Sequence, residues 1–198
     1  MFSPMPGLSS IQLDAAHEVL VGALPRELVP DAAGFEALWA LHPAEFHEIK
    51  IHGRQVRTPR WQQAYGADYH YTGRVNRALP LVPPMDAWLA WAREGFDARL
   101  NGLLLNWYDG TVGHYIGKHR DSDVHRIDGT PIVTLSFGEQ RSFRMRPWRG
   151  EGFIDVPAVH GGVIVVPWST NRAFTHEVPP SALARGRRVS VTLRAFSA

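Results

Sequence analysis

The sequence predicts an α+β fold, mostly β, in which two helices precede an all-β sandwich or barrel. Three observations carry this reading. Long apolar patterns at helical spacing occur only before Asn101. After Asn101 the chain breaks into short β-rich runs separated by Gly, Pro or Asn. No repeat, low-complexity tract or dividing linker interrupts the 198 residues, so 1–198 is expected to form one domain.

In chain order, a short strand is expected over 11–21. Asp31 can cap a helix that runs to about residue 41, with Phe35, Leu38, Trp39 and Leu41 on its apolar side. Residues 47–57 alternate around His52-Gly53, the pattern of a hairpin. Pro80, Pro83 and Pro84 close that region. A second helix is expected over 85–100, with Met85, Trp88, Leu89, Ala92 and Phe96 at helical spacing. Strands are then expected at 103–108, 131–137, 142–146, 152–156, 162–166, 174–176 and 188–196.

Composition excludes several chemistries. With no cysteine there are no disulfides, thiolate metal sites or iron–sulfur clusters. Any metal must be held by His, Asp or Glu, and ten His are present. No apolar run is long enough for a membrane helix, and residues 1–10 lack the pattern of a secretory signal. The formal charge of +2 is unevenly spread. Between residues 50 and 77 lie six basic residues and one acid, interleaved with Trp61, Tyr65, Tyr69 and Tyr71. Such a stretch suits a surface that holds phosphates and stacks bases. It is also the composition of a solvated face with a few core tyrosines.

His119 and Asp121 stand two apart beside a strand-like segment, so they can project to one face and share a cation. His176, near the end of another expected strand, can supply a third ligand. Two His and one carboxylate leave three positions of an octahedron open, which suits non-haem Fe(II). A surface His beside a solvated acid would look the same locally. The last strand alternates strictly: Arg188, Ser190, Thr192 and Arg194 on one face, and Val189, Val191 and Leu193 on the other. Packing the apolar face on the core puts two guanidiniums inside or at the mouth of a barrel. The segment has no acid to pair them, and a dicarboxylate would do so through forked hydrogen bonds. An edge strand with Arg in solvent is the other reading.

Taken in order, these residues resemble the AlkB family of Fe(II)- and 2-oxoglutarate-dependent nucleic-acid dealkylases, over roughly 45–196. The motifs are Pro59-Arg60 followed by Tyr65-Gly66, Tyr69-x-Tyr71-Thr72-Gly73, Asn106-x-Tyr108, Ile116-Gly117-x-His119-x-Asp121-x-Asp123, Pro131 through Ser136-Phe137-Gly138, His176, and Arg188-x-Ser190-x-Thr192-x-Arg194. The likeness is to the branch containing the animal DNA-repair members.

The resemblance implies a double-stranded β-helix (jelly roll) over 101–196, N-terminal helices packed on one sheet, and a hairpin substrate-recognition lid over 45–78, all in one catalytic domain. It implies Fe(II) on His119, Asp121 and His176, with 2-oxoglutarate and O2 as co-substrates. Arg188 would pair with the distal carboxylate of 2-oxoglutarate, helped by Tyr108. Asn106 and Arg194 would hold its chelating end. Ser190, which also faces this co-substrate, stands where the family commonly has Asn. Asp123 would face the damaged base, and Arg60, Trp61, Tyr65, Tyr69 and Tyr71 would grip and stack the nucleic acid. Ile51 and His52 fall where duplex-repairing relatives carry an apolar finger. His114, His125 and His160 are not carried over as ligands.

The implied activity is oxidative dealkylation of bases such as 1-methyladenine and 3-methylcytosine in DNA, with RNA as an alternative, giving succinate, CO2 and an aldehyde. The expected protein is a monomer without membrane contact, not secreted, in the bacterial cytoplasm or a eukaryotic nucleus. Competing readings are a 2-oxoglutarate-dependent hydroxylase of protein or small molecule, a non-catalytic nucleic-acid-binding domain, and a structural β-sandwich. Segment 45–77, the complete ligand trio and the paired Arg residues favour the dealkylase.

Overall fold

The computed structural model describes residues 7–51, 54–71 and 74–197. Near the N-terminus, β1 (Ser9–Gln12) and β2 (Glu18–Ala23) form a hairpin, where the sequence suggested one strand. Asp14 makes the turn. Its carboxylate accepts from the backbone N–H of Ala16 and of His17, each at 2.8 Å, so the chain reverses. Helix α1 (Ala32–Ala40) begins as expected, with the Asp31 carboxylate accepting from the Gly34 N–H at 2.8 Å. Leu38 is buried, whereas Leu41 lies past the helix end and is exposed.

The segment between the helices holds more strand than its composition announces. β3 (Glu48–Ile51) and β4 (Arg54–Arg57) pair as the expected hairpin. The intervening His52-Gly53 lies outside the described residues. β5 (Trp61–Tyr65) joins the main sheet, and β6 (Tyr69–Tyr71) pairs with β7 (Arg74–Asn76) as a second hairpin. Helix α2 (Met85–Gly95) buries Met85, Trp88, Leu89 and Ala92 as the spacing predicts. It stops before the expected residue 100. Phe96 leaves helical geometry, and the Arg93 Nε donates to the Leu100 carbonyl at 2.6 Å as the chain folds back.

The second half is β8 (Gly102–Asp109), β9 (Ile116–His119), β10 (Ile132–Gly138), β11 (Arg141–Pro147), β12 (Ile154–Ala158), β13 (Gly162–Val166), the short helix α3 (Trp168–Ala173), β14 (Phe174–Val178) and β15 (Arg187–Arg194). With β1, β2 and β5 they build a seven-stranded sheet in the order β1-β2-β13-β10-β15-β8-β5 and, by themselves, a four-stranded sheet in the order β12-β11-β14-β9. This is a jelly roll with helices on one outer face.

Strand alternation gives the large sheet two packed faces. Ile132, Ile164 and Val166 of the large sheet pack between the sheets against Phe143, Met145, Val156 and Phe174. The opposite face of the large sheet, including Val133, Leu135, Val189, Val191 and Leu193, is covered by Leu38 of α1 and by Met85, Trp88 and Leu89 of α2. β13 is apolar throughout because both its faces are covered. Two buried tryptophans tie these parts together: Trp107 Nε1 of β8 donates to the Leu38 carbonyl of α1 at 2.9 Å, and Trp88 Nε1 of α2 donates to the Leu28 carbonyl ahead of α1 at 2.8 Å. Truncating either to Ala costs about 3–5 kcal/mol. Among the described residues no helix is long and apolar enough to cross a membrane.

Candidate functional site

The register of the small sheet assembles the metal candidates. β9 and β14 are antiparallel neighbours, and their pairing sets His119 directly opposite His176, with ring centroids 4.4 Å apart. Asp121 follows just past β9. Its Oδ1 lies 3.9 Å from His119 Nε2 and 4.0 Å from His176 Nε2. That oxygen is buried and accepts no hydrogen bond. A buried carboxylate oxygen without a donor is costly, and a cation between the three groups would satisfy it. The ligand atoms of the trio all lie within 4.8 Å of one another, so the donor set fits a non-haem iron.

The protonation states suit that task. Burial pushes His119 below the usual imidazole range, against a smaller opposing pull from Asp121. Burial, helped by His119, pushes His176 down to about 3. Both rings are therefore neutral near pH 7, the form that binds metal. His119 Nδ1 lies 2.8 Å from the Gly117 carbonyl, which makes Nδ1 the donor and leaves the Nε2 lone pair for a ligand. Burial alone would raise Asp121, but Arg194 and the two His hold it well below the usual carboxylate range.

Outer contacts orient the carboxylate. Arg194 Nε donates to Asp121 Oδ2 at 2.5 Å and its Nη1 to Thr192 Oγ1 at 2.8 Å. Asn171 of α3 accepts from the Asp121 N–H at 3.2 Å and donates to its carbonyl at 3.1 Å. Phe143 stacks on His176 at 5.3 Å.

A cavity of about 40 Å³ opens between the sheets beside His119 and His176, with Ile132, Phe143 and Val166 in its wall. Its polar end is built by register. Arg188 of β15 stands opposite Tyr108 and Gly138, and Ser190 opposite Asn106 and Ser136. Arg188 is 1% exposed. Its Nη2 donates to Ser136 Oγ at 2.9 Å, its guanidinium lies 5.1 Å from the Tyr108 ring centroid, and its Nε and Nη1 have no acceptor. Burial lowers its pKa and Tyr108 opposes that shift. A buried guanidinium lacking acceptors calls for an anion, and a carboxylate matches its fork. Asn106 Oδ1 accepts from Arg60 Nε at 2.7 Å, and Arg60 Nη2 donates to Gln62 Oε1 at 3.0 Å.

On another side of His119 and Asp121 lies an open cleft of about 550 Å³, bordered by Lys118, Arg120, Asp123, Trp148 and Arg172. Asp123 Oδ2 is 3.6 Å from Arg172 Nε.

The structure thus brings His119, Asp121 and His176 together, and Asn106, Tyr108, Arg188, Ser190 and Arg194 line one cavity with the two histidines. Arg194 is engaged with Asp121 itself, so the acid that β15 lacks is supplied across the fold. The residues expected to grip nucleic acid scatter. On β5 the alternation points Trp61 and Tyr65 into the helix-covered core: Tyr65 is buried there, and Trp61 stacks on Phe46 and His42. Neither lines the metal cavity or the open cleft. Arg60 is a buried cavity-wall residue rather than a surface cation. Tyr69 is also in that wall, 5.0 Å beneath the Arg194 guanidinium. Among the described residues of this set, Asp123 alone sits at the open cleft. The side chains of Ile51 and Tyr71, and all of His52, lie outside the described residues. Sequence reasoning gave no role to Gln62, Ser136 or Asn171. Ser136 lies inside one of the ordered motifs, whereas Asn171 has no local signal.

Comparison with known proteins agrees with this geometry. Residues 36–194 match the 2OG-Fe(II) oxygenase superfamily. DNA oxidative demethylase ALKBH2 of Homo sapiens is 27% identical over 157 residues, covering 74% of this chain and 60% of that protein. Alpha-ketoglutarate-dependent dioxygenase alkB homolog 3 of Rattus norvegicus is 28% identical over 148 residues, covering 69% of this chain and 50% of that protein. The chain therefore spans about three fifths or less of the length of these two curated relatives. Among solved structures, OsALKBH1 superposes with a TM-score of 0.63 at 12% identity, covering 95% of this chain and 100% of that one. A 2OG-Fe(II) oxygenase family protein from Burkholderia pseudomallei gives 0.52 at 18% identity, covering 88% and 84%. The ordered motifs, the buried His-Asp-His trio and the match across the jelly roll lead to one assignment: the chain belongs to the 2OG-Fe(II) oxygenase superfamily.

Proposed function

We propose that this protein removes alkyl groups oxidatively from the ring nitrogens of nucleobases in nucleic acid, with DNA lesions such as 1-methyladenine and 3-methylcytosine as substrates. One observation carries the reading. His119 lines two different spaces, a small cavity ending in the under-bonded Arg188 and an open cleft with a basic rim and the acid Asp123. A dicarboxylate suits the first, and a charged polymer presenting one base suits the second.

Bound to His119, Asp121 and His176, Fe(II) would supply the chemistry that couples O2 and 2-oxoglutarate to oxidation of a C–H bond. The chain's own residues do the rest. Arg188 and Tyr108 anchor the far carboxylate of 2-oxoglutarate, which fixes its other end toward the trio. Arg194 and Asn171 fix the Asp121 rotamer and backbone. Ile132, Phe143 and Val166 keep water from the cavity. Asp123 accepts from an exocyclic amine or favours a cationic alkylated base. A base in a duplex must leave the stack to reach this trio. The names of the ALKBH2 and alkB homolog 3 relatives support the same substrate class.

The test is incubation with Fe(II), 2-oxoglutarate and oligonucleotides bearing one methylated adenine or cytosine, single- and double-stranded, read by mass spectrometry. Conversion to the unmodified base is expected. Failure on every nucleic acid, with 2-oxoglutarate consumed on a peptide or metabolite instead, would replace the proposal with the hydroxylase reading.

A further inference from the structure

We infer that Trp148 and Arg120 form a stacking platform at the open cleft that takes an unpaired base of the bound strand, next to the base presented to the trio. This rests on the nucleic-acid reading above and adds a contact that the basic stretch at 50–77 does not contain.

Trp148 follows β11 and borders the same cleft as His119 and Asp121. It is 47% exposed, unusual for an indole that no core requires. It is nonetheless held in place. Its backbone N–H donates to the Ala173 carbonyl at 2.9 Å, which ties the turn to the end of α3. The Arg120 guanidinium carbon lies 3.9 Å from its ring centroid. Arg120 is fixed in turn, with Nη1 donating to the Arg172 carbonyl at 2.7 Å. A cation over a half-exposed indole, both anchored to backbone from a separate element, is a preset flat surface that loses little freedom when a base lands on it.

The surroundings select the ligand. Lys118 and Arg172 stand on the same cleft and are exposed. Among the described residues, Arg172 meets an acid only through the loose 3.6 Å approach to Asp123, so it remains available to a phosphate. Cations alone would suit an acidic peptide. A flat aromatic–guanidinium surface among cations suits alternating phosphates and π faces, the repeat of a nucleic-acid strand. In a duplex both faces of each base are covered by neighbours, so the platform favours single strands.

The test is fluorescence anisotropy with a labelled, unmodified 15-mer of thymidine and with a labelled duplex of equal length, over a range of salt concentrations. Trp148→Ala is expected to weaken single-strand binding about tenfold, the low-to-middle range for loss of one base stack, with a smaller effect on the duplex. Trp148→Tyr should recover most of the affinity. Stacking releases no counterions, so the salt slope should stay put in Trp148→Ala and fall by about one in Lys118→Ala. Unchanged single-strand affinity in a Trp148→Ala protein that melts like the parent would overturn the platform and leave the dealkylase reading standing. Equal losses on single strand and duplex would overturn the unpaired-base assignment. A parent protein that binds neither oligonucleotide would overturn the nucleic-acid reading itself.

Discussion

Replacing Arg188 with methionine separates what the residue does for binding from what it costs the fold. The guanidinium is 1% exposed and donates to Ser136 Oγ, with Nε and Nη1 unmatched. In the co-substrate-free protein this is a buried charge without an acid. A methionine of similar length removes that burden, so Arg188→Met should raise the stability of the co-substrate-free protein by about 1–4 kcal/mol. Binding goes the other way. A carboxylate that accepts from Nε and Nη1 gains two charge-assisted hydrogen bonds worth about 1.5–3 kcal/mol each. Their loss totals about 3–6 kcal/mol and weakens 2-oxoglutarate binding by at least about a hundredfold. Anaerobic titration calorimetry with Mn(II) in place of iron reads the affinity, and thermal melting reads the stability. An unchanged affinity would refute the placement of the co-substrate. A lower melting temperature would show that Arg188 already has a stabilising partner.

Asp121→Ala should abolish metal uptake and also destabilise the fold by about 3–5 kcal/mol, because Arg194 is then left buried without its acid; metal analysis and urea denaturation check both parts. The metal-free protein should lose stability as pH falls below about 6.5 toward 3. The unfolded chain takes up a proton at His176 that the folded chain, with its value pushed down to about 3, refuses, at up to about 1.4 kcal/mol per pH unit. Asp121 adds a loss of the same sign once pH falls below the ordinary carboxylate range. Denaturation curves from pH 7.5 to 4 test this, and a His176→Gln variant should flatten the upper part of the slope. Gly138→Ala should cost more than about 1 kcal/mol and weaken 2-oxoglutarate binding. Gly138 sits at φ +88°, and a Cβ there would stand 2.2 Å from the Arg187 carbonyl, beside Arg188.

The parts of this fold set by short-range periodicity are readable from the chain. Arg188 to Arg194 alternate between a polar cavity and an apolar core, so the order of residues alone tells their two faces apart. His119 and Asp121 are readable because they stand two apart. Contacts made by register between distant strands are not. Nothing local says that β9 lies beside β14 and sets His176 against His119, and only the ordered family motifs point to that partner. The Arg194–Asp121 pair is hidden for the same reason. In the segment 50–77, charge and aromatics do not tell inward from outward residues: Tyr65 is buried where β5 enters the large sheet and Arg60 lies in the cavity wall, whereas Arg57 and Arg77 are exposed. Trp148 and Arg120, distant in sequence, meet only where the sheets close.

Fe(II) on His119, Asp121 and His176 is proposed to couple 2-oxoglutarate to dealkylation of a base in the open cleft. The most direct measurement is the stoichiometry of products from a methylated oligonucleotide under air. One succinate and one formaldehyde are expected for each base restored, all three lost together on omission of iron. Succinate released at the same rate with or without the oligonucleotide, while the methylated base persists, would contradict it.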